Sequence, residues 1–423
     1  MLDIKFIREN KEVVEAGAKK KRINFNVDEL ISVDDERRAI ISKVEEKRAR
    51  QNEVSTKIVS ATPEEKATLL SEMKALKEEL QKEEEHLKEI MKKWQTLMVQ
   101  VPNVPDMSVP EGDDDTANKE HSVWGEIPKF DFPIKDHVQL MEGLGMIDLE
   151  AGARISGFRG YILKGDGALL NYALWQFIMN HFRINKPDYI PMLVPSLVRR
   201  ETLLGTGYLP QGEDDLYKTQ DGDYLAGTAE VATMAYFADS VLAENTLPKK
   251  VIAFSPAFRR EAGSHSKDVK GVYRVHEFMK FEQVILCEAN HETSVKLHEE
   301  LRENAEEILR ALKMPYHVVV NCGGDLGLGQ VKKYDIETWS PASNKYRETH
   351  SCSYFHDFQT RRLNIKYKDK EGKTKFAHSL NNTALATPRI LLQIVENYQQ
   401  ADGSIKIPEA LVPYMGKQFI KKD

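Results

Sequence analysis

The sequence predicts an α+β protein: a long N-terminal antiparallel α-helical coiled-coil hairpin, then a larger domain built on an antiparallel β-sheet flanked by helices. Two observations carry this. From Val27 to Val99 the chain is rich in Glu, Lys, Arg and Leu, with no Gly and one Pro, Pro63. Beyond it, short β-rich runs alternate with helical ones without the regular spacing of βαβ units. At 423 residues the chain exceeds one ordinary domain, and its 41% hydrophobic content supplies a full core.

The second half of the hairpin has the clearer pattern. An alternating four-three spacing selects Leu69, Met73, Leu76, Leu80, Glu83, Leu87, Ile90, Trp94 and Leu97, a coiled-coil seam in which only Glu83 is polar. In the first half Leu30, Ile41, Val44 and Ile58 fit one frame that also collects Arg37, Arg48, Gln51 and Ser55. Thr62, Pro63, Glu64 and Glu65 read as an N-cap, a first-position proline and acids in the first turn, so the chain reverses between Val59 and Thr62. With roughly 35 residues per arm, each helix would extend about 50 Å. Such a hairpin serves either as a dimerisation or spacer coiled coil or as an arm that grips a partner.

The stretch Val101 to Asp115, V-P-N-V-P-D-M-S-V-P-E-G-D-D-D, ends the hairpin with prolines and acids. It places the domains at 1–108 and 109–423. Strands are expected at Gly160–Lys164, Tyr189–Val194, Lys250–Phe254, Tyr273–Phe278 and Leu363–Lys368. No apolar run has membrane-spanning length, and the charged start M-L-D-I-K-F-I-R-E-N is unlike a signal peptide, so a cytoplasmic protein without a membrane partner is expected. Cys287, Cys322 and Cys352 form no CxxC or Cys/His cluster, and neither disulfides nor zinc are expected. The net charge of -6 does not mark a nucleic-acid binder, although a mean charge conceals local basic patches.

The segment Phe258–Glu282 carries the most chemistry. Arg259, Arg260 and Glu261 end one expected strand, a Gly/Ser/Lys loop follows, and a second strand presents Arg274, His276, Phe278, Lys280 and Glu282 on one face by period-2 alternation. Guanidinium groups match phosphate oxygens, an aromatic face stacks on a purine, and a carboxylate accepts from an ammonium or hydroxyl. The hairpin is therefore suited to a nucleotide.

These residues closely resemble motif 2 of the class II aminoacyl-tRNA synthetases in the form typical of the seryl-tRNA synthetase family. Other segments extend the resemblance. The helix Leu169–Phe182 and the strand ending at Pro195 are similar to motif 1. Thr228, Ala229 and Glu230 match the family's amino-acid-binding loop, although Thr-x-Glu is also a helix N-terminus. Gly205–Pro210 resembles a substrate-proximal loop, and the Gly323–Gly329 string is assigned to turns. S-L-N-N-T-A-L-A-T-P-R resembles motif 3, with Thr387 expected to cap a helix begun by Pro388. Asn381, Asn382, Thr383 and Ala384 stand where N-G-S-G is usual, so two glycines are lost and a hydroxyl is kept. His350 and Tyr354 also depart from the common pattern.

The resemblance implies ATP as co-substrate, bound by Arg259, Arg260, Glu261, Arg274, Phe278, Glu348, Thr349, His350, Ser351 and Arg389. It makes Arg259 and Arg389 the catalytic arginines. It implies L-serine bound by Thr228, Ala229, Glu230, Arg259, Glu282, Asn381 and Thr383, and Mg²⁺ held with ATP by Glu348 and Ser351. A homodimer is implied, as is tRNA(Ser) gripped by the arm, with Arg37, Arg38, Lys43, Lys47, Arg48 and Arg50 as candidate contacts and tRNA(Sec) as a second candidate substrate. A ligase that charges a carrier protein would lack the long arm. A non-catalytic paralogue would not need Arg259, Glu282, Glu348 and Arg389.

Overall fold

The computed structural model describes residues 1–262 and 271–422, so the Gly/Ser/Lys loop of the Phe258–Glu282 hairpin, residues 263–270, lies outside the described residues. The chain forms two compact units, one of Leu2–Lys19 with Ile23–Pro102, the other of Met1 and Lys20–Arg22 with Asn103–Asp423.

The first unit is dominated by α1, Val27–Ser60, and α2, Pro63–Met98. Thr62 caps α2 in a full capping box with Glu65, so the reversal falls where the sequence places it. Along α2, Leu80 and Ile90 are buried, with Leu87, Trp94 and Leu97 packed beside them. The frame of α1 differs from expectation. Val27, Leu30, Val33, Ile40, Val44 and Val54 are the buried apolar positions, while Ile41 is only partly covered and Arg48 and Ser55 are exposed. The continuous seam 30-33-37-40-44-47-51-54-58 puts Arg37, Lys47 and Gln51 in the polar slots. Arg37 is accommodated there because its guanidinium donates to the buried Asp34 at 2.7 Å and lies 4.6 Å from the Trp94 ring centroid.

The second unit is built on an eight-stranded sheet. Its strands are β1 (Lys119–Trp124), β2 (Tyr189–Leu193), β3 (Lys249–Phe258), β4 (Glu277–Cys287), β5 (Tyr316–Val320), β6 (Lys332–Ser340), β7 (Lys345–His356) and β8 (His378–Thr387). Their spatial order is β1-β5-β6-β7-β8-β4-β3-β2, and every neighbouring pair is antiparallel except β2 with β3. The helices α3 (Asp166–Asn185), α4 (Ala229–Tyr236), α5 (His291–Ala311) and α6 (Arg389–Asn397) surround it. One core cluster joins Leu170, Leu174 and Phe182 of α3, Leu301 and Ile308 of α5, and Ile390 and Ile394 of α6 to Ile285, Ile336 and Tyr354 of the sheet.

Three expected strands are corrected. The run 160–164 contributes only Ile162–Leu163, paired with Ile147–Asp148 in a separate ribbon. The run 363–368 contributes only Lys366–Lys368, in a small three-stranded sheet. The strand expected at Tyr273–Phe278 has regular pairing only from Glu277 onward. Alternation still holds before it, with Val275 and Tyr273 buried and Arg274 and His276 half-buried.

Ile40→Ala should weaken helix pairing by about 2–4 kcal/mol, because it opens a cavity in the seam. Ile41→Ala should change it by less than about 1 kcal/mol. Hydrogen-exchange protection across α1 and α2 checks both, and a larger effect at Ile41 would restore the other frame.

Candidate functional site

Irregularities in the sheet bring the candidate residues together. On β4, Phe278, Lys280 and Glu282 alternate toward one face. Between Phe281 and Glu282 the register with β8 shifts, so that Phe281 faces Leu385 but Glu282 faces Thr383. The extra residue is Ala384, and this bulge sets the two candidate serine readers directly opposite one another. A second shift, between Ile336 and Glu337, leaves Thr349 as the extra residue on β7. Glu348 and Ser351, three apart and thus on opposite faces of a regular strand, both line one cavity as a result.

That cavity is also lined by Arg259, Glu261, Arg274, Phe278, Thr349 and Arg389. The Arg259 guanidinium donates to the Gly227 carbonyl at 3.4 Å and lies 5.4 Å from the Phe278 ring centroid. A Cβ at Gly227 would stand 3.4 Å from Arg259 Nε, so a side chain there would crowd the arginine. Glu261, at φ 57°, accepts from Arg274 Nη1 at 2.6 Å. Arg389 Nη1 lies 3.3 Å from Glu348 Oε2 and its Cζ 4.7 Å from the Tyr273 ring centroid, while Tyr273 Oη donates to the Glu348 carbonyl at 2.7 Å. Desolvation opposes ionisation of Glu348, but Arg389, Lys333 and Arg259 outweigh it and hold the carboxyl below its usual range.

A second cavity adjoins the first, lined by Tyr208, Glu230, Glu282 and Asn381, and Arg259, Lys280 and Ser351 line both. Thr228 caps α4, its Oγ1 accepting from the Glu230 amide at 3.3 Å, as the helix N-terminus reading expects. Glu230 is 4% exposed and accepts from Gln359 Nε2 at 2.6 Å and Tyr208 Oη at 3.0 Å. Burial nonetheless raises its pKa. Glu282 is 1% exposed and lies 2.6 Å from Lys280 Nζ. Burial pushes its carboxyl up to about 7, with Lys280 pulling against the shift and Glu230 adding to it.

Four candidates stand differently from expectation. Arg260 turns away, donating through its amide to the Asp215 carbonyl at 2.9 Å and through Nη1 to that of Asp214 at 3.0 Å. His350 is 1% exposed, its Nδ1 2.9 Å from Thr349 Oγ1, and does not line the nucleotide-side cavity. Ala229 is a buried first-turn residue of α4 with no polar group to offer. Thr387 does not cap a helix: α6 begins at Arg389 with Pro388 at its N-cap, and the Thr387 hydroxyl accepts from Trp175 Nε1 at 3.4 Å.

Asn382 departs from the family pattern for a visible reason. Its side chain points to the back of the sheet and donates to the Leu301 carbonyl of α5 at 2.6 Å, beside Gln283, which accepts from Asn304 at 2.8 Å. Lys280, Tyr208 and Tyr273 line the cavities and Gln359 bonds Glu230, and sequence reasoning assigns a site role to none of them. Lys280 is signalled by its face on β4 and Tyr208 by its glycine-flanked loop, whereas Gln359 has no sequence signal.

The architecture, an antiparallel sheet carrying arginines and carboxylates around adjoining cavities, is that of class II synthetases, and residues 216–398 match the model of the class II tRNA synthetase core domain (G, H, P, S and T). Residues 1–105 match the seryl-tRNA synthetase N-terminal domain. A serine-tRNA ligase from Deinococcus radiodurans is 44% identical over 98% of each chain, and one from Thermodesulfovibrio yellowstonii is 43% identical over 100% of each. The structure of a seryl-tRNA synthetase from Pyrococcus horikoshii complexed with ATP superposes with a TM-score of 0.91 over 100% of both chains at 34% identity. This chain belongs to the seryl-tRNA synthetase family.

The buried Glu282 makes a pH prediction. A carboxyl whose folded pKa of about 7 exceeds the ordinary value of 4.5 binds its proton more tightly when folded. That contribution is present at low pH and lost as pH rises through 7. Glu282→Gln should therefore gain stability relative to the parent between about pH 5 and pH 8, by on the order of 2–3 kcal/mol. Urea unfolding at the two pH values measures it, and a difference that does not change with pH would contradict the assignment.

Proposed function

We propose that the chain activates L-serine with ATP and transfers the seryl group to the 3′ end of tRNA(Ser), with tRNA(Sec) as a second candidate substrate. The observation that carries this is the junction of the two cavities at Arg259, with buried carboxylates on one side and three arginines on the other. Serine's carboxylate attacks the α-phosphorus of ATP and the bond to pyrophosphate breaks, giving seryl-adenylate. The terminal ribose hydroxyl of tRNA then attacks the carbonyl, loses its proton and expels AMP.

Each side chain has a role suited to its place. Arg259 holds the α-phosphate as charge develops, and Arg274 and Arg389 hold the outer phosphates. Phe278 and Arg389 enclose adenine, with Glu261 near its amino group. Glu230, Thr228 and Asn381 receive the serine ammonium, and Glu282 and Thr383 read its hydroxyl. A site that hydrogen-bonds a hydroxyl leaves buried groups unpaired when alanine enters, so alanine is rejected without editing by about 10⁴ or more. Glu348 and Ser351, on one face of the cavity, fit Mg²⁺, which needs one or two protein oxygens besides phosphates and waters and would neutralise phosphate charge.

In α1, Lys47, Arg48 and Arg50 pair with Glu79, Glu84 and Glu72 of α2. Arg38 and Lys43 have no ion pair among the described residues and are the better candidates to meet tRNA phosphates. Leu169 and Tyr172 of α3 and Leu193 of the edge strand β2 are exposed, which supports a homodimer formed there. Among the described residues no helix is long and apolar enough to cross a membrane, and we place the enzyme in the cytoplasm.

Arg259→Ala should reduce serine-dependent ATP-pyrophosphate exchange at least 100-fold while the fold is kept, since one transition-state donor is worth about 2.7–4 kcal/mol. Near-normal exchange in a folded variant would remove Arg259 from the reaction. Replacing Val27–Met98 by a short Gly/Ser joint should keep exchange within about tenfold, allowing roughly 1.4 kcal/mol of disturbance. Transfer to tRNA should fall much further and lose salt sensitivity. Undiminished tRNA charging by the shortened, folded chain would make the hairpin a spacer.

A further inference from the structure

One cation at the junction has no part in the roles above. The Lys280 side chain is 10% exposed, with Nζ 2.6 Å from Glu282 Oε2, and Nζ donates to Thr228 Oγ1 at 3.3 Å. It thus touches a residue read as holding the serine hydroxyl and one read as holding the serine ammonium. With Arg259 and Ser351 it lines both cavities.

The charge count shows why a lysine is needed there. Serine enters as a zwitterion, so it brings a cation and an anion and no net charge to the buried pair. Glu230, Glu282 and the substrate carboxylate are three anions, while the substrate ammonium and Arg259 are only two cations. Lys280 is the third. The other titratable groups around Glu282 do not supply it: burial raises the Tyr208 hydroxyl and the Cys352 thiol well above their ordinary values, so both stay neutral, and burial pushes His350 down to about 4. Without Lys280 the occupied site would hold an excess negative charge in a desolvated place, which is relieved most easily by protonating a carboxyl.

We propose that Lys280 is a positioning residue for serine recognition, favouring the ionised form of the Glu230 and Glu282 pair so that the amino acid meets carboxylates from neutral pH upward. This rests on the reading of the second cavity as the serine site. The role is electrostatic, so arginine should substitute for it in part and a neutral side chain of equal length should not. Motif 2 thereby supplies a cation to the amino-acid side as well as to the phosphates.

The test is calorimetric titration of serine into the full-length parent, Lys280→Met, Lys280→Arg and Glu282→Gln near pH 7 and near pH 8, in buffers of different ionisation enthalpy that report protons released. Lys280→Met should release up to one proton more than the parent near pH 8, because a carboxyl protonated in the free variant must ionise to accept serine. Its serine Kd should weaken about tenfold or more near pH 7, the effect of one pKa unit, and recover partly near pH 8. Lys280→Arg should keep the parent's proton count. If Lys280→Met does not fold, Lys280→Gln is read in the same way. A parent-like proton count with unchanged affinity, or with a loss equal at both pH values, would overturn the proposal while leaving the serine site in place. If Glu282→Gln instead binds serine as tightly as the parent, the cavity is not the serine site and the proposal falls with it.

Discussion

Holding two buried carboxyl groups in one site, each within reach of groups that offset its charge, is the constraint on which the catalytic unit depends. Glu230 is 4% exposed and Glu282 1%, and an uncompensated charge at such depth is strongly destabilising. The surrounding architecture supplies the compensation from separate parts of the chain: Tyr208 from one loop, Gln359 from a short helix, Lys280 from β4 and Arg259 from the end of β3. None of these can shift by much without exposing the pair to an unbalanced field. The rigidity required for hydroxyl discrimination and the electrostatics of the site are therefore one requirement.

That rigidity is anchored from behind the sheet. Gln283 and Asn382, neighbours of Glu282 and Thr383 on the opposite face, are fully buried, and each donates to the Leu301 carbonyl of α5. Asn304 adds a bond from α5 to Gln283 and another to Tyr189 of β2. Buried hydrogen bonds of this kind fix register more strictly than apolar contact, because a one-residue slip leaves their donors unpaired. The two bulges then decide which side chains meet over the front face.

The hairpin is stabilised on different terms. Its seam is narrow, with the basic residues of α1 tied to acids of α2 by exposed pairs that contribute little each. Its length and register come from apolar spacing and from the cap at Thr62, both local properties. This is why the extent of the arm and its turn were legible from residue order, whereas the frame of α1 was not. Polar residues at Arg37, Lys47 and Gln51 blur the apolar period, and Ile40 and Ile41 offer competing choices that only the facing helix resolves.

Residue order alone was enough for the two-part α+β organisation and the hairpin with its reversal, because these rest on composition, capping and short-range alternation, whereas the candidates Arg259, Arg274, Glu282, Glu348 and Arg389 were legible through their resemblance to family motifs. Tertiary structure decided the rest. Strands β7 and β8 escaped the expected list because polar residues stand on both their faces, with Ser351 and Thr383 toward the cavities and His350 and Asn382 buried elsewhere, which erases the hydrophobic period. The pairing of Glu282 with Thr383, and the presence of Glu348 and Ser351 on one cavity wall, follow from bulges that no local pattern announces. Lys280 could be placed on the right face from its position, but its function depends on how many buried charges surround it, and that number exists only once the chain has folded.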